Sequence, residues 1–534
     1  MTELLSGGVR RMRPRSPEPD RPRWMRRFTV KESLKIGWGD WRLGASVASL
    51  LAAAYGLLNG WLIPRGPLTT FAALSSIGAS AVVGATAALV MRSRWAMLLA
   101  PAVFVGMFEL TRVSSVGPTV DAIHLGSTYG ILAFAVGRGF HGVLAIFPMV
   151  VAAAFGAGVG RLARSGATAR SASKFAMYGR RGVAIVAASC VLLLGLAVAR
   201  PAGTNPIRDA NGKRVAGSIA ELTRVNIGGY QLSMMIRGTS SKSPILLFLA
   251  GGPGGSELGA MRKHLKGLER DFLVVTWDQR GTGKSYDQLE PVKTLTFDNA
   301  MRDTTEVTNY LRGRFGQDKI YLAGQSYGTF LGVRAVQQHP ELYAAYIGVG
   351  QMVSAVATDR IYFDDTLAWA RKNGRSALVT TLTKIGPPPY AKALNYESVL
   401  SNEQEVYPYD HRQNSEGAGG FSENIFVREY SLVQQVHNLA GFLDVFSIVY
   451  PQIQNIDFRT DAPKLNVPVY LVQGGHETRG RVEPLDQWLA KLDAPVKRRV
   501  IFETSGHRSM FEQPDQFIEF MTKTVLVDTA KRPS

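Results

Sequence analysis

The chain is almost without cysteine: Cys190 is the only one in 534 residues. That excludes an intramolecular disulfide framework and any cysteine-based metal site. Histidine is also scarce, with eight in all, and acidic residues are outnumbered, 42 Asp and Glu against 61 Lys and Arg, a net charge of +19. A surplus of this size suits a nucleic-acid binder, but its distribution argues against one. The densest basic runs, 10–27 and 161–181, flank apolar segments, where Lys and Arg mark the cytoplasmic side of a bilayer. No nucleic-acid partner is expected. The length excludes a single core, since one domain rarely exceeds about 250 to 300 residues.

What is present in place of charge is a series of long apolar runs. Residues 45–64, 68–90, 95–110, 142–159 and 183–199 are nearly uncharged, and a helix needs about 20 residues to cross a hydrocarbon core of about 30 Å. Their Gly and Ala, without amphipathic periodicity, suit helix packing in lipid. A cleavable signal peptide is not expected, because the first run starts late and further runs follow it. Met25-Arg26-Arg27-Phe28 resembles a twin-arginine signal only superficially. The Arg- and Pro-rich tail, 1–42, is expected to be disordered and cytoplasmic.

Segment 123–136 is short and rich in small and polar residues, so it is expected to be interfacial or re-entrant. Five crossings follow within a helical transmembrane domain, 43–200. With the tail, 92–94 and 161–181 inside, the rest of the chain is expected outside the cytoplasmic membrane of a multi-pass protein whose first partner is the lipid bilayer. A sixth crossing would reverse that side. No charged residue lies convincingly inside a run to mark a transport path.

Beyond a polar linker, 201–217, strand-like and helix-like segments alternate, as in an α/β fold. Strands are expected at 219–227, 230–236, 245–250, 272–277, 319–323, 345–349, 467–473 and 499–503, and helices at 298–315 and 327–338. Residues 218–351 and 461–534 then form one core. The stretch between them, 352–460, is mainly helical and loop-like and reads as a cap.

Four motifs carry chemistry. Gly324-Gln325-Ser326-Tyr327-Gly328 stands between an expected strand and an expected helix, a strained turn that exposes a serine hydroxyl as nucleophile. Glycines at 324 and 328 let that turn pack without Cβ clashes. The serine needs a base after the last strand, in the order Ser, acid, His, and His507 in Thr504-Ser505-Gly506-His507 fits. His124 and His141 fall in the membrane region, His264 and His339 by the wrong helices, and His411 and His437 in the cap. The acid should follow strand 467–473. That loop, Gly474-Gly475-His476-Glu477-Thr478-Arg479-Gly480, has no aspartate, which leaves Glu477, with Glu483 in reserve.

The third motif, Ala250-Gly251-Gly252-Pro253-Gly254-Gly255, follows a strand, and its bare backbone suits an oxyanion. Gly252 and Tyr327 are the expected amide donors. The fourth, Asp278-Gln279-Arg280-Gly281-Thr282-Gly283-Lys284-Ser285, ends like a phosphate loop, but Asp278 stands where that motif needs its first glycine. Asp278 and Arg280 are instead expected to cross-link loops around the site.

Together G-G-P-G-G, D-Q-R-G-x-G-x-S, G-x-S-Y-G and a late G-H resemble the proline iminopeptidase group of α/β-hydrolases, serine peptidases that remove N-terminal residues. The resemblance covers about 218–526. It implies an α/β-hydrolase fold with a helical cap, here preceded by an all-α transmembrane domain. It implies Ser326, Glu477 and His507 as a triad, Gly252 and Tyr327 as oxyanion donors, and Gly251, Pro253, Asp278, Arg280 and Gln325 as shaping the site. No metal and no organic cofactor are expected. Ala250 departs from the usual histidine, Gln325 and Tyr327 from Gly and Trp, and Glu477 from aspartate, departures that bear on peptide specificity more than on hydrolysis. Aminopeptidase action on small peptides is the first expectation. An esterase or amidase on lipid-like acyl substrates is the second, and a non-catalytic membrane receptor or transport component the third.

Overall fold

The computed structural model describes residues 41–164, 174–409 and 421–530. The basic tail before Trp41, the middle of the 161–181 connection and His411 lie outside the described residues.

The N-terminal part is a helical bundle of α1 (Trp41–Leu62), α2 (Thr70–Met91), α3 (Ala96–Thr111), α4 (Thr128–Phe134), α5 (Phe140–Arg164) and α6 (Lys174–Ala199). By length and composition α1, α2, the α4–α5 unit and α6 are able to cross a membrane, and α3 is a shorter apolar helix. Small residues let the backbones approach closely: Ala48, Ala52, Ala87, Ala100 and Ala145 are fully buried against Phe104 and Met149. Trp41 and Trp95 are 70% exposed where α1 and α3 begin. Trp61 (78%) and Phe71 (80%) are exposed at the opposite end, where α1 finishes and α2 begins.

Segment 123–136 differs from the expectation of a separate interfacial or re-entrant element. From Thr128 it is helical and passes through a π-helical turn, Ala135–Gly139, directly into α5. At 1.5 Å per residue that rod is about 55 Å long, well beyond a hydrocarbon core of about 30 Å. The part of the segment from Thr128 is therefore the beginning of a long helix. The basic connection at 161–181 likewise is helical at both of its described ends.

The rest is built on one eight-stranded sheet of order β1-β2-β4-β3-β5-β6-β7-β8. The strands are β1 (Ile219–Ile227), β2 (Tyr230–Gly238), β3 (Ile245–Leu249), β4 (Leu273–Asp278), β5 (Ile320–Gln325), β6 (Tyr343–Val349), β7 (Val469–Gly474) and β8 (Lys497–Phe502). The β1–β2 and β2–β4 pairs are antiparallel, and the pairs β3–β4, β3–β5, β5–β6, β6–β7 and β7–β8 are parallel. Parallel strands covered on both faces need continuous apolar runs, and β3, β4, β5 and β7 are buried at every position.

Helices α7 (Phe297–Phe315) and α8 (Tyr327–Gln338) cover the sheet. The cap includes α9 (Ala355–Lys372), α10 (Glu397–Leu400) and α11 (Leu432–Val449), and α12 (Arg479–Lys491) follows β7. Stretch Leu432–Ile453 is also long and apolar enough to cross a membrane. Its His437, Asn438 and Asp444 are buried within the protein, and burying polar groups is tolerated where protein supplies partners. The linker after α6 is tied down, Arg237 donating to Thr204 Oγ1 and Asn205 O at 2.7 Å each.

Candidate active site

Strand β5 delivers Ser326 to the carboxyl edge of the sheet, where parallel α/β folds gather their sites. Ser326 has φ 52° and ψ −120°, and α8 starts at the next residue. A positive φ costs a non-glycine residue of order 1–3 kcal/mol and persists only when its surroundings enforce it. Two contacts enforce it here. The Ser326 amide donates to Val349 O of β6 at 3.1 Å. Gly328 lies so close to β3 that a Cβ there would sit 2.1 Å from Leu249 O, so only glycine lets α8 leave at this angle.

The loops after β7 and β8 are joined through their backbones, Gly475 N to Phe502 O at 2.8 Å and His476 N to Ser505 O at 2.9 Å. That joint sets Glu477 beside His507, with Oε2 2.7 Å from Nδ1. Gly350 flanks the ring, where a Cβ would stand 2.7 Å from Nδ1. Nε2 on the far side of the ring is buried and, among the described residues, has no hydrogen-bond partner, Ser326 included. The other Glu477 oxygen accepts from Thr478 N at 2.9 Å and from Arg481 at 3.0 Å. Burial by itself would raise the Glu477 carboxyl, but His507 first and then Arg481 outweigh it and hold the group well below the usual carboxylate range. Glu483, the reserve candidate, faces the surface and pairs with Arg479 at 3.1 Å.

Ser326, His507 and Glu477 line one cavity of about 440 Å³, together with Gly251, Gly252, Gln325 and Tyr327. Neither the Gly252 nor the Tyr327 amide donates a backbone hydrogen bond among the described residues. Pro253, Asp278 and Arg280 do not line this cavity. Asp278 still braces it from behind, its carboxylate accepting from the Lys284 amide at 2.8 Å and from Tyr430 and Ser256. Arg280 corrects the expectation: it faces away, pairs with Asp303 of α7 at 3.0 Å and lies 3.7 Å over the Tyr230 ring. Arg280 lies in the turn beyond the end of β4, where the alternation of a strand no longer sets the direction of a side chain. A second depression of about 560 Å³, lined by Phe297, Arg302 and Arg334, holds none of these groups.

Several cavity residues escaped the sequence reading. Arg481 stands four positions after Glu477, the spacing of facing residues on a helix, and this was the one signal within reach. It also pairs with Glu403 of the cap at 3.1 Å. Asp359 of α9 accepts from Tyr450 at 2.7 Å and from Gln454 at 3.2 Å, and burial pushes its carboxyl up to about 7. Tyr129, from the start of α4, is also part of the wall. Neither residue carries a local motif.

The family model described as the alpha/beta hydrolase fold matches residues 244–514. A probable aminopeptidase of Bacillus subtilis, YbaC, is 30% identical over 314 residues, 57% of this chain and 96% of its own. A proline iminopeptidase of Saccharolobus solfataricus is 23% identical over 290 residues, 52% and 84% of the two chains. Among solved structures, the proline iminopeptidase of Mycobacterium smegmatis aligns at 16% identity and a TM-score of 0.41, over 58% of this chain and 99% of that one. With a family match over 244–514, just over half of the chain, and a relative aligned over nearly its full length, the chain belongs to the α/β hydrolase family.

Proposed function

We propose that this protein is a membrane-anchored serine hydrolase that removes N-terminal residues from small peptides. The observation that carries the reading is the buried, unpartnered Nε2 of His507, on a ring held from behind by Glu477, in the cavity that Ser326 enters. Ser326 Oγ attacks the carbonyl and gives its proton to Nε2. The Gly252 and Tyr327 amides hold the oxyanion. His507 then protonates the departing amine, and water, activated by the same nitrogen, releases the acyl group. Glu477 keeps Nδ1 protonated and stabilises the imidazolium.

The peptide preference draws support from the names of the two relatives and from Asp359, a cavity carboxylate whose hydrogen-bond partners, Tyr450 and Gln454, are uncharged. A substrate ammonium would supply the charge it lacks. Below about pH 7 Asp359 holds its proton and is neutral, so kcat/KM for aminoacyl arylamides should rise through pH 7 by more than it does for acyl esters, which have no ammonium. Asp359→Asn should erase that difference and cut arylamide kcat/KM about tenfold to a hundredfold, the scale of a hydrogen bond to a charged group. An unchanged arylamide profile in Asp359→Asn would remove Asp359 from amine binding.

Membrane anchoring rests on the long apolar helices and on exposed Trp and Phe at both ends of the bundle, the pattern of interfacial belts. The basic turn at 92–94, between α2 and α3, lies at the end of the bundle away from the Arg65 turn that meets the cap, and with the Lys and Arg of 161–181 it supports an extracytoplasmic active site. The aromatic cavity wall favours, as a second reading, an esterase for lipid-like acyl groups. A screen of aminoacyl arylamides against acyl esters of graded length, on the full chain, separates the two. Aminoacyl cleavage is expected, and ester turnover without it would overturn the first reading.

A further inference from the structure

The cap and the helical bundle meet at two charged joints, and each joint sits on a segment that lines the cavity. In the first, Arg65, from the turn between α1 and α2, reaches Asp444 of α11 at 3.1 Å. Asp444 also accepts from the Thr119 amide at 3.1 Å, from Thr119 Oγ1 at 2.7 Å and from Tyr286 at 2.8 Å. The same helix sends Phe442 and Phe446 into the cavity wall. In the second, the Glu397 carboxylate of α10 accepts the amides of Thr128 at 2.6 Å and Tyr129 at 3.1 Å. Its neighbours Tyr396 and Leu400 line the cavity.

Tyr129 belongs to the second joint and is itself part of the wall. Glu397 holds its amide, which fixes where the Tyr129 backbone sits at the wall, and its hydroxyl is hydrogen-bonded with Ser401. The wall also carries the apolar side chains of Tyr396, Leu400, Phe442, Phe446 and Tyr450, with Glu403 near the Tyr129 hydroxyl. On the outside, the bundle segment leading to Tyr129 shows Val113, Val116, Ile123 and Leu125 more than half exposed, at 80%, 57%, 52% and 57%. Apolar side chains exposed at the end of a bilayer-spanning bundle favour the lipid surface.

We propose that Tyr129 is a specificity-determining residue of the hydrolase site, contributed by the N-terminal bundle. Its ring limits the size of a bulky apolar group carried by a substrate that is presented at the bilayer surface. The inference rests on the hydrolase reading above. The bundle is then more than an anchor, because it forms one wall of the site.

The test uses the full chain in lipid nanodiscs, with Tyr129→Ala, Tyr129→Trp and Tyr129→Phe. Each is assayed on a small and a bulky aminoacyl arylamide and on a short and a long acyl ester. The readout is the ratio of kcat/KM, bulky to small, within each pair. Tyr129→Ala should raise the ratio about tenfold and Tyr129→Trp should lower it about tenfold, the scale of pocket discrimination between apolar groups. Tyr129→Phe should keep it within about twofold of wild type. Equal losses on all substrates, or shifts of the same sign for Ala and Trp, would show a structural role only and overturn the proposal. A wild type that takes no fluorophosphonate overturns the hydrolase reading and this inference with it. A wild type that is labelled, but whose ratio ignores residue 129, overturns this inference alone.

Discussion

Ser326→Ala should lower kcat about a million-fold, and adding His507→Ala or Glu477→Gln to it should lower kcat little further, because the three act as one unit. Glu477→Gln alone should cost about 10,000-fold. The amide keeps the shape of the carboxylate but removes the charge that stabilises the imidazolium, and it no longer enforces a protonated Nδ1. Arg481 adds a second consequence. It is buried, with a side chain 10% exposed, between Glu477 and Glu403. In Glu477→Gln it keeps one of its two carboxylates, so the fold should survive and the loss should fall on kcat. Steady-state rates with a thermal melt for each variant check this. Rate losses that multiplied in the double variants would break the unit apart.

Arg65→Met should destabilise the protein by about 3–5 kcal/mol, the cost of leaving a buried charge without its partner. Both side chains of the Arg65–Asp444 pair are dry, at 1% and 0% exposure. Asp444 would retain Thr119 and Tyr286 as donors, but no positive charge at hydrogen-bond distance. Replacing both partners, as Arg65→Met with Asp444→Leu, should recover most of the loss, since a buried ion pair is often matched by apolar residues of similar volume. Thermal unfolding of the full chain in detergent reads both variants. A single variant as stable as wild type would mean that the joint between bundle and cap contributes nothing.

What the sequence made legible was whatever repeats or punctuates locally. Buried strands such as Ile245–Leu249 are unbroken apolar runs, and their order along the chain placed the loops after β7 and β8. Ser326 stood out because two glycines bracket it, and the close approach of Gly328 to Leu249 is the physical reason they must. Glu477 emerged by elimination in one loop, and it lies 2.7 Å from His507. Groups brought in from far along the chain were invisible. Asp359 and Tyr129 carry no motif, and each reaches the cavity only because a cap helix or the end of a long bundle helix is packed there. Arg280 points away from the cavity because it stands in the turn after β4 has ended, where the path of the turn and the pairing with Asp303 set its direction and spacing along the chain does not. That the helix beginning at Thr128 runs on into α5 was not legible in 123–136, because composition marks a polar start without telling whether a helix continues through it.

The most direct measurement is mass spectrometry of the folded full-length chain after reaction with a fluorophosphonate. The account predicts a single adduct on the peptide that contains Ser326, lost in Ser326→Ala and strongly slowed in His507→Ala. No adduct, or an adduct on another serine that persists in Ser326→Ala, would contradict it.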